Sequence, residues 1–270
     1  MIDEGRFLSH HGFAKTNSWI VIVISVFLML AGAVMLLLLL LADKPDEQVV
    51  QLTLLAGMSC IVSGILFIFL RQYIKPSQVY ELHENGVLVI NQHDHKDRFI
   101  PFEKISDIYL YRAGKYAGRL KHAMAFRTDI YNQWNKISPN VSGAKRLIKA
   151  IIDQQLLQRG PASLNRLAND GHVSFFYRTE GRLKCLLMRN FFMMNEKQLR
   201  LSALSLTTEN VAISIEEIHT IKGGESEQTI RLLDVQGKVL FSIPYLSLFS
   251  ADLFIALIEH MIESRIPIRT

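Results

Sequence analysis

The residues best suited to chemistry in this 270-residue chain are few and scattered. His93-Asp94-His95 offers two imidazoles and a carboxylate to a metal ion. In an extended segment the imidazoles share a face while the carboxylate points away, and zinc wants three or four fixed ligands. His83 is the only other ligand nearby in sequence, so the segment reads as a solvated hairpin tip. His10-His11 is an equally short pair. Glu216-Glu217 sets two carboxylates side by side, but neighbours on a strand face opposite ways and do not converge. The sequence carries no phosphate-cradling glycine loop, nucleophile elbow or H-E-x-x-H pair. The expectation is a non-enzymatic chain with no cofactor and no metal.

Two stretches suit binding better. Arg112 to His122 combines Arg112, Lys115, Tyr116, Arg119 and Lys121 with Gly114 and Gly118. A basic loop of this kind contacts anionic lipid headgroups or an acidic protein partner. Asn190-Phe-Phe-Met-Met194 is partner-binding surface if exposed and ordinary core if buried. From residue 71 onward, 27 Lys and Arg face 20 Asp and Glu, so this part is basic. Arginines with interleaved aromatics do not line up in a stripe, so nucleic acid is not an expected partner.

The elements that carry these stretches start with two apolar runs. Trp19–Leu41 and Val49–Leu70 hold no charged residue and are separated by seven residues. About 20 apolar residues cross a bilayer core of roughly 30 Å as a helix. A charge at mid-bilayer costs roughly 2.5–3.5 kcal/mol on insertion scales, which gives their absence meaning. The runs predict a transmembrane helical hairpin over residues 19–73 after an N-terminal tail, residues 1–18. Arg6, Lys15, Arg71 and Lys75 flank the spans on one side, and Lys44 lies among acidic residues on the other. The positive-inside rule then puts both termini in the cytoplasm, with the chain a multi-pass membrane protein. Ala56, Gly57, Cys60 and Gly64 form a small-residue face on the second span. That face packs either on the first span of the same chain or on another copy as a homo-oligomer. Cys60 falls in the bilayer and Cys185 in the cytoplasmic part, so they do not bridge, which fits a reducing compartment.

The rest of the chain contains a repeat. Ile100-Pro-Phe-Glu-Lys-Ile-Ser-Asp-Ile108 aligns without gaps on Ile213-Ser-Ile-Glu-Glu-Ile-His-Thr-Ile221. Downstream, Leu147, Ile151 and Ile152 align on Leu253, Leu257 and Ile258 within amphipathic helices, with Ser142 and Ser250 as N-caps. Two strand-rich units follow, over residues 79–159 and 172–267, each closed by a helix. Strands are expected at Val79–His83, Val87–Asn91, Arg98–Phe102, Ile105–Tyr111, Ala123–Thr128 and Gln133–Ile137 in the first. The second has them at Val173–Arg178, Leu183–Arg189, Leu201–Thr207, Val211–Ser214, His219–Lys222, Thr229–Asp234 and Lys238–Ile243. Gly160-Pro161 punctuates the end of the first unit, before a short joining helix. The fold class is an α+β membrane protein: a hairpin, then two tandem β-barrel or sandwich units.

Glu84-Asn-Gly-Val87, Ile100-Pro-Phe-Glu-Lys-Ile105 and the helix around Leu147–Ile152 resemble the bacterial PH-like membrane proteins. The resemblance implies a partly open seven-stranded barrel capped by a helix. It implies no reaction; such domains bind partners, assemble or sit against membranes. The K-x(n)-R-x-R loop of phosphoinositide-binding relatives is missing. The expected roles are therefore an inner-membrane scaffold, adaptor or regulator with an unidentified protein partner, including an immunity-type protein. An anionic-lipid sensor and a small oligomeric channel or transporter subunit are the alternatives.

Overall fold

The computed structural model describes residues 3–13, 15–41, 46–74, 76–92, 97–114, 120–178, 196–224 and 227–264. The chain opens on a strand, β1 (Phe7–His11), which the sequence reading assigned to the tail. Two long helices follow, α1 (Lys15–Leu41) and α2 (Glu47–Ile74). Within them, Trp19–Leu41 and Glu47–Phe69 are long and apolar enough to cross a membrane. Only 11% of each span is buried, which sets them apart from the core helices of a water-soluble protein.

The helices run antiparallel at close range. A Cβ on Gly32 would lie 2.6 Å from the Gly57 carbonyl oxygen, and one on Gly64 would lie 2.9 Å from that of Ser25. Glycine at these points is what lets the backbones meet. Ser25 is fully buried and donates its hydroxyl to the Val21 carbonyl one turn back.

After the hairpin come β2 (Gln78–His83), β3 (Gly86–Asn91) and β4 (Asp97–Pro101), then a single 3-10 turn, Phe102–Lys104. β1 pairs antiparallel with β2, and the sheet order is β1-β2-β3-β4. The hairpin is therefore an insertion between two neighbouring strands of one sheet. A second sheet, β5 (Asp107–Gly114), β6 (Leu120–Arg127) and β7 (Asn135–Ile137), precedes helix α3 (Ala144–Ala168).

The same order of strands, 3-10 turn and closing helix then recurs, with one added 3-10 turn, Tyr245–Ser247, before the last helix. β8 (His172–Arg178), β9 (Glu196–Ser202), β10 (Ser205–Thr207) and β11 (Ala212–Ser214) form a four-stranded antiparallel sheet. A 3-10 turn (Ile215–Glu217) leads to β12 (Thr220–Lys222), β13 (Thr229–Leu233) and β14 (Val239–Pro244), and then to α4 (Ala251–Ser264). The gap-free motif falls on corresponding places: both turns close with the same bond, Ile105 N–H to Phe102 O and Ile218 N–H to Ile215 O, each 3.1 Å. The first strands correspond as well. Phe13 bridges to Val141 before α3, and Tyr177 bridges to Leu248 before α4. One contiguous apolar core runs through both units.

Four local readings need correction. Pro161 does not end a helix; α3 runs through it to Ala168, and buried Ser163 and Leu167 hold the last turns in place. The expected strand Leu201–Thr207 is two strands, because Ser202 Oγ bonds back to the Ser205 backbone and turns the chain. Neither Ser142 nor Ser250 caps its helix through its side chain. The residue before each helix is left-handed, Gly143 at φ 63° and Ser250 at φ 49°. The helices also align one residue later than the apolar pattern suggested. Leu147 N–H bonds Gly143 O as Phe254 N–H bonds Ser250 O, so Leu147 corresponds to Phe254. A wide apolar stripe on α4 tolerates that slide. The expected strand Leu183–Arg189 lies outside the described residues.

Candidate functional site at the hairpin base and unit junction

The hairpin joins the first sheet through short connections, three residues from His11 to Lys15 and three from Ile74 to Gln78. Its base is tied down from both sides. Ser142 N–H donates to Gly12 O at 2.7 Å, beside the Phe13–Val141 bridge. His11 is buried there. Its Nδ1 lies 2.9 Å from the Ser142 carbonyl and therefore carries the proton; its Nε2, 2.8 Å from Ser9 Oγ, accepts. Burial holds this imidazole below its usual pKa; the Ser142 bond opposes the shift, and His10 and Arg146 add to it. A Cβ on Gly143 would stand 3.1 Å from His11 Nδ1, so the glycine serves both its left-handed turn and the close ring.

The second feature is a buried charge cluster between the units. Arg127 at the end of β6 donates Nε to Asp107 Oδ2 at 2.7 Å. Its two terminal nitrogens grip Glu196 at 2.8 and 3.2 Å, and Nη1 also bonds the Ile130 carbonyl. Arg178 donates to the same Glu196 at 3.4 Å. Both guanidiniums are 3% exposed, so each charge must be met within the protein. Aromatic rings complete their surroundings. Arg127 lies 4.4 Å from the Trp134 ring centre, Arg178 lies 4.8 Å from that of Tyr109, and Phe249 adjoins both. Burial pushes the Asp107 carboxyl above its usual range, although Arg127 pulls it the other way.

Ser250 and Gln155 extend the junction. Ser250 Oγ accepts from Ile108 N–H and from Gln155 Nε2, while Ser250 N–H donates to the Ile108 carbonyl. The hydroxyl expected to cap α4 thus fastens it to β5 of the other unit. Arg178 and Glu196 are cross-strand partners at the ends of β8 and β9. The cluster therefore clamps the place in the second unit that corresponds to the hairpin base in the first.

The basic stretch is not one loop. β5 and β6 stay paired through Arg112–His122, Ala113–Lys121 and Gly114–Leu120, because their ladder runs for eight residue pairs. Arg112 is half-buried on β5, and the backbone of Lys121 lies in β6. Lys115, Tyr116 and Arg119 lie outside the described residues, as do His93, His95, Cys185 and Asn190–Met194. In the second span, Gly57 and Gly64 meet α1, and Cys60 is close to Gly32. Ala56 is half-buried beside them. Among the described residues, three or more potential metal ligands do not gather anywhere. Glu103 and Glu216 occupy corresponding 3-10 turns in the two units. The sequence reading missed Asp107, Arg127, Arg178 and Glu196; all four stand at strand ends, where a charge reads as solvated. No protein-family model and no curated protein matches the chain.

Proposed function

We propose that this chain is a non-enzymatic, membrane-anchored adaptor. Its hairpin crosses the bilayer, and two PH-like units stand on the same side as the N-terminus and bind a protein partner. The observation that carries this reading is the insertion of an apolar, lipid-compatible hairpin between β1 and β2. A tether attached through two neighbouring strands holds the body at a set height and orientation, as a docking platform requires. A flexible linker would not. The buried charge cluster supports the same reading, since it locks the two units into one body. In the anchor itself, Ser25 is buried between the helices with its hydroxyl spent on Val21, which favours an anchor over a conducting path. The reading places the protein in a bacterial inner membrane with both termini cytoplasmic.

Affinity purification from membranes in a mild detergent tests this. A protein partner recovered in fixed ratio with the chain, and lost when Arg127 is replaced, supports the adaptor. Recovery of the chain alone under every extraction condition contradicts it.

A further inference from the structure

The long helix α3 does more than close the first unit. Its second half reaches β8, and the space between them and the turn Phe102–Lys104 is a cleft of about 480 Å³. That volume lies within the roughly 300–1,000 Å³ of sites that hold small molecules. Arg159, Ser163 and Arg166 follow one another at i, i+4 and i+7, so one stripe of α3 forms a wall. His172 and Ser174, two apart on β8, form the opposite wall. Glu103 closes the cleft as its single carboxylate.

These charges are only partly met among the described residues. Arg159 commits one nitrogen, Nη1, to the carbonyls of Ile105 and Ser106. Those bonds fix the guanidinium in place, while Nε and Nη2 have no hydrogen-bond partner among the described residues. Burial makes Arg159 a costlier cation than usual, with Asp107 as its compensating charge. Arg166 and His172 form no ion pair or side-chain hydrogen bond among the described residues, and neither does Glu103. Elsewhere at the junction arginine and carboxylate pair closely. Here the exposed Arg166 and His172 form no ion pair among the described residues, and the half-buried Arg159 has only the nearby charge of Asp107 to offset it.

We propose that this cleft binds a soluble phosphorylated sugar. Guanidinium forks match phosphate oxygens in shape and charge, so Arg159 and Arg166 take the phosphate, with His172 beside them. Glu103 and Ser163 accept hydrogen bonds from sugar hydroxyls, a role that gives the lone carboxylate a use. The walls come from both units, so an occupied cleft braces the junction.

The test uses the full chain in phosphatidylcholine nanodiscs and titration calorimetry with ribose 5-phosphate. Saturable binding is expected, at least tenfold tighter than ribose or sulfate at equal ionic strength. Arg166→Glu and Ala162→Glu each change an exposed residue at the cleft and should weaken binding at least tenfold, leaving the melting temperature of the free protein unchanged. No heat of binding, equal binding of sulfate, or full affinity in both variants overturns the proposal. So does a response that appears only when phosphatidylglycerol is added to the disc, which would make the source a lipid headgroup.

Discussion

The two units of this molecule share the order of their strands and closing helices, and three of their differences are instructive. Between the first two strands, the first unit carries the hairpin, and the second carries residues 179–195. At the register pair before each second sheet, the first unit has Asp107 opposite Arg127, and the second has Thr220 opposite Leu233. At the first-strand position facing the helix start, the first unit has His11 and the second has Phe175, placed by their partners Tyr80 and Leu199. The differences fall where the first unit meets the hairpin and where the units meet each other. The shared parts supply the scaffold, and the exceptions lie at those two junctions.

The most severe way to break the comparison is to remove residues 1–75. This takes β1 together with the hairpin and bares the β2 edge. The expected product aggregates and lacks a cooperative thermal transition by circular dichroism, although the second unit keeps all its strands.

Next in size is Arg127→Leu, which copies position 233 into the first unit. It leaves Asp107 and Glu196 short of a buried cation, and the expected loss is about 3–5 kcal/mol in urea denaturation. Adding Asp107→Thr should return part of that loss, and the double-mutant cycle measures how much the pair is coupled.

Gly32→Val acts on the hairpin alone. Its Cβ meets the Gly57 carbonyl, so the helices must separate, at about 1–3 kcal/mol. SDS titration in mixed micelles should show earlier loss of helix signal, with the melting of the strand-rich body unchanged.

The smallest effect is that of pH at His11. Its folded pKa lies below the unfolded value of 6.5. Above pH 6.5 neither state takes the proton and the docking of β1 is at full strength. As pH falls below 6.5 the unfolded form is protonated first, so stability is lost. Protection factors over residues 7–11, which divide out the intrinsic pH dependence of amide exchange, should fall from pH 7.5 to 5.5, and His11→Phe, the residue type of position 175, should abolish that dependence.

The hairpin was legible because unbroken apolar runs of this length have few other uses. The repeat was legible because Ile100–Ile108 and Ile213–Ile221 match with no gap to obscure it, although the 3-10 form of the turn inside each was not. β1 was not legible: Phe7-Leu-Ser-His-His11 is short and half polar, and its partner lies beyond the whole hairpin. A pairing of that kind leaves no local periodicity to read. The charge cluster was hidden for a related reason. Arg127 and Glu196 are 69 residues apart, and each alone resembles a solvated surface charge until the two sheets bring them within 2.8 Å. α3 misled because proline usually ends a helix, whereas here tertiary packing outweighs the one lost hydrogen bond.

The central claim is that a membrane-spanning hairpin interrupts a sheet that folds without it. It is tested most directly by joining Phe13 to Ser77 with a short Gly/Asn linker and comparing that variant with the intact chain after alkaline carbonate washing of membranes. The account predicts that the intact chain stays in the pellet and that the variant is released as a soluble, cooperatively melting protein with β1 protected from amide exchange. An intact chain that washes off, or a soluble variant whose residues 7–11 exchange freely, would contradict it.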